Sequence, residues 1–188
     1  MIDISAKLII EKESYKEIFK KDKDFFSEKE LGHYLRWMKD SEITEIYKPN
    51  YEDILRVSFT YKFKRGKIND LVNLLSGKNL LTKDIGKEET AKISFETLEE
   101  GLKRFVNKYN LDNFNKTIME IGFKFDTLIK SKHNINFAYI LFLLLREKKM
   151  DMGLIQKYER KWFVTLIIKR YSSSLEFKFD KIFKKLIK

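Results

Sequence analysis

The sequence predicts an all-α protein, a single multi-helix orthogonal bundle, on three observations. Seven glycines and one proline, Pro49, in 188 residues are too few breakers for a loop-dense β architecture. Apolar residues recur at the three- and four-residue spacing of a helix face along most of the chain, and the breakers fall between the periodic segments. One segment, Asn136 to Lys148, is apolar nearly all round, the pattern of a helix buried at a domain centre. With 43% hydrophobic residues, including many aromatics, the chain has a core to bury although 36% of it is charged. One domain over residues 1–188 is therefore expected.

Taken in order, residues 5 to 20 and 28 to 39 read as two amphipathic helices, the second capped by Ser27 with Glu30 at capping-box spacing. Pro49 and Asn50 mark a turn. In "YEDILRVSFTYKFK" the first half has helical spacing and the second half alternates like a strand, and the whole is read as helix. "KINDLVNLLSG" is a short helix stopped by Gly77, and the loop from Gly77 to Lys87 is the expected excursion from the core. Ile93, Phe95, Leu98, Leu102, Phe105, Val106 and Tyr109 predict one long helix from Glu88 to Tyr109. "NFNKTIMEIGF" makes another, ending near Gly122, followed by the buried helix Asn136 to Lys148. Asp151 caps a helix that runs through Trp162 to Arg170, with Trp162, Phe163, Val164, Leu166 and Ile167 directed to the core. A last helix begins near Ser174, with Leu175, Phe179, Ile182, Phe183 and Leu186 on one face and Lys178, Lys181, Lys185 and Lys188 on the other.

The formal charge of +11 is unevenly placed. Residues 146–188 hold 13 of the 39 Lys and Arg and 5 of the 28 Asp and Glu, a net +8, which leaves +3 for the first 145 residues. The 32 lysines against 7 arginines and only 3 alanines match the codon usage of an AT-rich genome, so position says more than the total. The absence of cysteine removes disulfides, thiolate chemistry and thiolate-bound zinc, and two histidines 100 positions apart offer no metal site; neither metal nor cofactor is expected. The opening "MIDISAKLIIEKES" lacks the parts of a secretory signal, and the longest apolar run, Phe137 to Leu145, is about half of the ~20 residues a membrane span requires. A cytoplasmic protein without membrane contact is expected.

Catalytic patterns fail one by one. Gly66, Gly77 and Gly86 are isolated, with no phosphate-binding loop around them. Neither His33 nor His133 accompanies a Gly-x-Ser-x-Gly elbow, and Arg36 follows His33 where a small helical ribonuclease has the arginine first. Glu11 and Glu13 with nearby lysines echo metal-dependent nucleases, but those place their carboxylates on strands, and this stretch reads as a charged helix face.

Four stretches in order, "DILRVSFTYKFKRGKINDLVNLLSGKN", "SFETLEEGLKRFVNKYNLDNF", "NFAYILFLLLR" and "RKWFV" with "RYSSSLEFKFD", resemble the C-terminal helical region of GmrS-like proteins. These belong to the GmrSD type IV, modification-dependent restriction enzymes of prokaryotic defence, whose N-terminal half is a ParB-like nuclease or NTPase domain. The resemblance covers about residues 50 to 183, with only a weak likeness over 1–49. The family's turn after the tryptophan helix commonly reads Arg-Tyr-Ser-Gly-Ser-Pro-Glu-Ser. With further acids following that turn in the family, Arg170, Tyr171, Ser172, Ser174, Glu176 and Asp180 fit it, whereas Ser173, Leu175 and Phe177 depart from it. The Asp-Gly-Gln-Gln-Arg stretch of the family's catalytic domain has no counterpart here, nor has the histidine-rich nuclease module.

The resemblance implies an accessory helical domain of a restriction-type protein, partnered by DNA and by a ParB-like catalytic domain or subunit. On the residues themselves, Lys169, Arg170, Tyr171, Ser172, Ser174, Lys178, Lys181 and Lys185 are the candidate nucleic-acid contacts: ammonium groups supply charge, hydroxyls and helix N–H groups supply positioning. The alternative is a docking or homo-oligomerising helical module without a ligand, suggested by the surplus of large apolar residues such as Phe25, Phe26, Trp37 and Met38.

Overall fold

The computed structural model describes residues 46–78, 86–123 and 131–169, all within the compact unit Glu42–Lys188. These residues are 78% helical, with six helices and no strand among them. The helices are α1 (Tyr51–Phe63), α2 (Ile68–Leu75), α3 (Lys87–Phe105), α4 (Lys108–Glu120), α5 (Lys132–Glu147) and α6 (Met152–Lys169). The all-α expectation holds. The expected helices over 5 to 20 and 28 to 39, with the Ser27 cap, and the last helix from Ser174 lie outside the described residues.

The turn expected at Pro49 and Asn50 starts α1 through a capping box. Asn50 Oδ1 accepts from the Asp53 amide at 2.9 Å and Asp53 Oδ2 accepts from the Asn50 amide at 2.9 Å, so two helix-end donors are satisfied reciprocally. The box is tied into the core, because Asn136 of α5 donates to Asp53 Oδ1 at 2.7 Å while its own Oδ1 accepts from the Tyr47 hydroxyl at 2.8 Å. The alternating half of α1 is helical too: Ser58, Phe59, Thr60 and Tyr61 are all buried, since the helix is enclosed on more than one side. It packs mainly on α3 and α5.

The long helix expected from Glu88 to Tyr109 is two helices. α3 ends at Phe105, and Asn107 caps α4 by accepting from the Asn110 amide at 3.1 Å, while Asn110 Nδ2 donates to the Arg104 carbonyl at 3.2 Å. The break rotates the following residues onto a new face, so Tyr109 stands 62% exposed instead of lying in the core.

As expected, α5 is the central element. Every residue from Asn134 to Leu143 is buried, as is Leu145. Tyr139 sits in an aromatic cluster with Tyr47, Phe105, Phe114 and Phe142, at centroid separations from 4.8 to 6.3 Å, and donates its hydroxyl to the Phe105 carbonyl at 3.0 Å. Rings of this size contribute about 1.5–3 kcal/mol each on full burial, so this cluster is the main anchor of α3, α4 and α5 on one another.

A short turn then folds α6 back along α5. Asp151 accepts from the Gly153 amide at 2.9 Å, the expected cap. At the far end Trp162 packs on Phe137, with centroids 4.3 Å apart, and its indole N–H points to the Asn134 carbonyl at 3.4 Å. Phe163 is buried against Phe123, whereas Val164 is 45% exposed, contrary to expectation. The inward stripe of α6 runs through Ile155, Glu159 and Phe163 at four-residue spacing, which turns position 164 toward solvent.

Candidate nucleic-acid interface

Of the eight residues the sequence nominates, Lys169 is the last residue of α6. Arg170, Tyr171, Ser172, Ser174, Lys178, Lys181 and Lys185 lie outside the described residues, and the structure does not bring them together or separate them. What the described residues add is the stretch leading into them, Arg146 to Lys169.

Four cations outside this stretch meet carboxylates, while others, such as Lys48, Lys92 and Lys116, are exposed without an ion pair among the described residues. Arg65 meets Asp70 at 2.9 Å, Lys62 meets Glu100 at 2.5 Å, Lys103 meets Glu99 at 2.7 Å, and Lys132 lies 3.8 Å from Asp53. In the stretch itself Lys149, Lys157, Arg160 and Lys161 are exposed, and Arg146 is half-buried; none of these five has a carboxylate partner among the described residues. One carboxylate of the same stretch is withdrawn, whereas Glu147 and Asp151 are exposed. Glu159 is fully buried, and burial pushes its carboxyl well above the usual range, favouring the neutral form. The buried Tyr61 phenol has its pKa raised to about 12, through burial first and the nearby Glu147 charge second. With Glu159 in the interior and favouring the neutral form, the surface of residues 146–165 is more positive than its residue count.

The outward side of α6 carries Leu154, Lys157, Tyr158, Lys161 and Val164 at three- and four-residue spacing, with Arg160 beside them. Leu154 is 46% exposed and Tyr158 45%. Cations alternating with an aromatic and aliphatic groups on one exposed helix face can meet phosphates and also lie against sugars or bases. The sequence contains this signal, but its apolar residues taken without their helical phase point to a core helix.

A second group of cations gathers where the C-terminal ends of α1 and α5 meet. Lys64 follows α1 in the left-handed conformation, φ 56°; its ammonium lies over the Tyr61 ring at 4.6 Å from the centroid and donates to the Tyr61 carbonyl. Burial pushes its pKa down, and the nearby charges include Glu147, Lys62 and Lys148. Lys149 follows α5, also left-handed at φ 54°, in a turn closed by Lys149 N–H to Arg146 O and Met150 N–H to Leu145 O. Three carboxylates or histidines placed to hold a metal ion do not occur among the described residues. His133 is exposed in the first turn of α5, and His33, Glu11 and Glu13 lie outside the described residues. No described helix is long and apolar enough to cross a membrane.

Comparison with protein-family models, with curated proteins and with solved structures finds no match to this chain.

Proposed function

We propose that this chain is an accessory helical module that contacts DNA phosphates through the basic surface formed by α6 and the tail that continues it. In this reading it serves a restriction- or defence-type protein of the GmrS-like kind, and bond cleavage falls to a ParB-like domain or subunit. The order of the four family-like stretches supports the affiliation, and the missing Asp-Gly-Gln-Gln-Arg stretch supports the division of labour. The observation that carries the phosphate-binding reading is that Lys157, Arg160 and Lys161 stand exposed without an ion pair on the outward side of α6, within the segment 146–188 that holds a net +8. Unpaired surface cations repel one another, and release of condensed counterions from DNA offsets that repulsion.

Reversing charge tests this directly. The triple variant Lys157→Glu, Arg160→Glu, Lys161→Glu is expected to weaken duplex DNA binding at least tenfold in fluorescence anisotropy at about 50 mM salt, with an unchanged melting curve, because these side chains are exposed. The same reversal at Lys178, Lys181 and Lys185 tests the tail. Unchanged affinity in both variants would remove the reading.

The exposure of Leu154, Tyr158 and Val164 on the same face favours a second reading, a docking surface for another protein or another copy of this chain. That reading predicts association that survives high salt and is lost when Leu154 and Val164 become Ser.

A further inference from the structure

Arg146 and Tyr109 come from different helices, and their pairing is visible only in the fold. The Arg146 guanidinium lies over the Tyr109 ring at 5.8 Å from its centroid, and one of its N–H groups reaches the Met152 thioether at 3.7 Å. A half-buried guanidinium is ordinarily matched to a carboxylate; this one is held by a ring and a sulfur, both weak acceptors, so most of its five donors are left for an anion. Tyr109 is the most exposed large hydrophobic side chain among the described residues, at 62%, and so retains ring surface for a planar partner.

The adjoining turn is costly for the fold alone. α2 and α4 end with glycine in the left-handed position, Gly77 at φ 79° and Gly122 at φ 107°, where a missing Cβ avoids strain. α5 ends in the same hydrogen-bonded turn with Lys149, three residues after Arg146. Lysine there, as at Lys64 after α1, takes a left-handed position that glycine fills more easily, and it puts an exposed cation three residues from Arg146 in the chain.

We propose that Tyr109, Arg146 and Lys149 form a site for an unpaired nucleotide. The Tyr109 ring stacks on the base, Arg146 takes the adjoining phosphate in fork geometry, and Lys149 meets the next phosphate along the strand. This deepens the nucleic-acid reading above, since a stacking ring needs a base free of its duplex. Unpaired DNA and unpaired RNA offer the same chemistry, and the two are separated below.

The test is fluorescence anisotropy of the full chain with oligo-dT, oligo-rU, an abasic strand of the same length and a duplex. Tyr109→Ala is expected to weaken oligo-dT or oligo-rU at least about fivefold, to leave the abasic strand and the duplex unchanged, and to be rescued by Tyr109→Phe, which keeps the ring. Arg146→Lys, which keeps the charge and loses the fork, is expected to weaken all single strands. A stronger effect on dT or on rU identifies the natural strand. Equal losses on base-bearing and abasic strands, or no loss on either, overturn the site while leaving duplex contact through α6 intact. Failure of the unmodified protein to bind any of the four probes overturns both readings.

Discussion

Glu159 is a carboxyl group shut off from solvent: its accessibility is 0%, and neither oxygen has a hydrogen-bond partner among the described residues. Asp53, also buried, is its opposite, since both of its oxygens are satisfied by Asn136 and the Asn50 amide. A buried polar group without a partner costs about 1–3 kcal/mol, so Glu159→Met, which keeps the volume and removes the oxygens, is expected to stabilise the protein by about that amount in urea titration at pH 7. The pH dependence has a definite sign. Because the folded-state pKa is raised above the ordinary 4.5, the folded protein holds this proton more tightly than the unfolded chain does. The Glu159 contribution to stability is therefore fully present below about pH 4.5 and declines as pH climbs through the raised value. Glu159→Gln should flatten that decline, and identical pH profiles for the two proteins would contradict the assignment. From the sequence, Glu159 is one more charged residue in a basic segment. Its chemistry argued for solvent, and only the phase set by Ile155 and Phe163 placed it inside.

At the scale of elements, α1 and α3 approach each other closely at Gly101 and Ser58. A Cβ added to Gly101 would stand 2.7 Å from the Ser58 carbonyl oxygen and 3.1 Å from its carbon, so both contacts are with backbone and neither can swing aside. Gly101→Ala is expected to lower stability by about 1–3 kcal/mol despite alanine's better helix propensity, whereas Gly86→Ala, with nothing within 4 Å, should change it by less than about 1 kcal/mol. A stabilised Gly101→Ala protein would mean that α1 and α3 do not meet there. The helices themselves were legible because apolar spacing and caps agree: Asp151 before α6, Gly77 after α2 and the enclosed run of α5 all appear where the sequence places them. The division between α3 and α4 was not legible, because Phe105, Val106 and Tyr109 continue the apolar spacing across the break. The opposing signal, the Asn107 cap, is a single side chain, and its effect depends on the fold holding Phe105 under Tyr139.

For the whole molecule, sequence order already showed the concentration of positive charge toward one end of the chain, but not which charges remain unmatched. Lys62, Arg65, Lys103 and Lys132 are spread over 71 positions and find carboxylates through helix packing or helical spacing, which a linear count cannot register. Conversely, Glu159 looks like a neutralising neighbour of the basic stretch until the fold assigns it to the interior. The Tyr109–Arg146 pair was beyond sequence reasoning altogether, since 37 positions separate its members and each had a different expected role.

The central claim is that the unpaired cations of α6 and the preceding turn engage a polyanion. Its most direct measurement is the affinity of the intact chain for duplex DNA as a function of salt between about 50 and 200 mM. With Lys149, Lys157, Arg160 and Lys161 each meeting one phosphate, log affinity should fall linearly with log salt at a slope of about −3.6, and more steeply if Arg146 and the tail contribute. An affinity indifferent to salt, or no binding at the lowest salt, would contradict it.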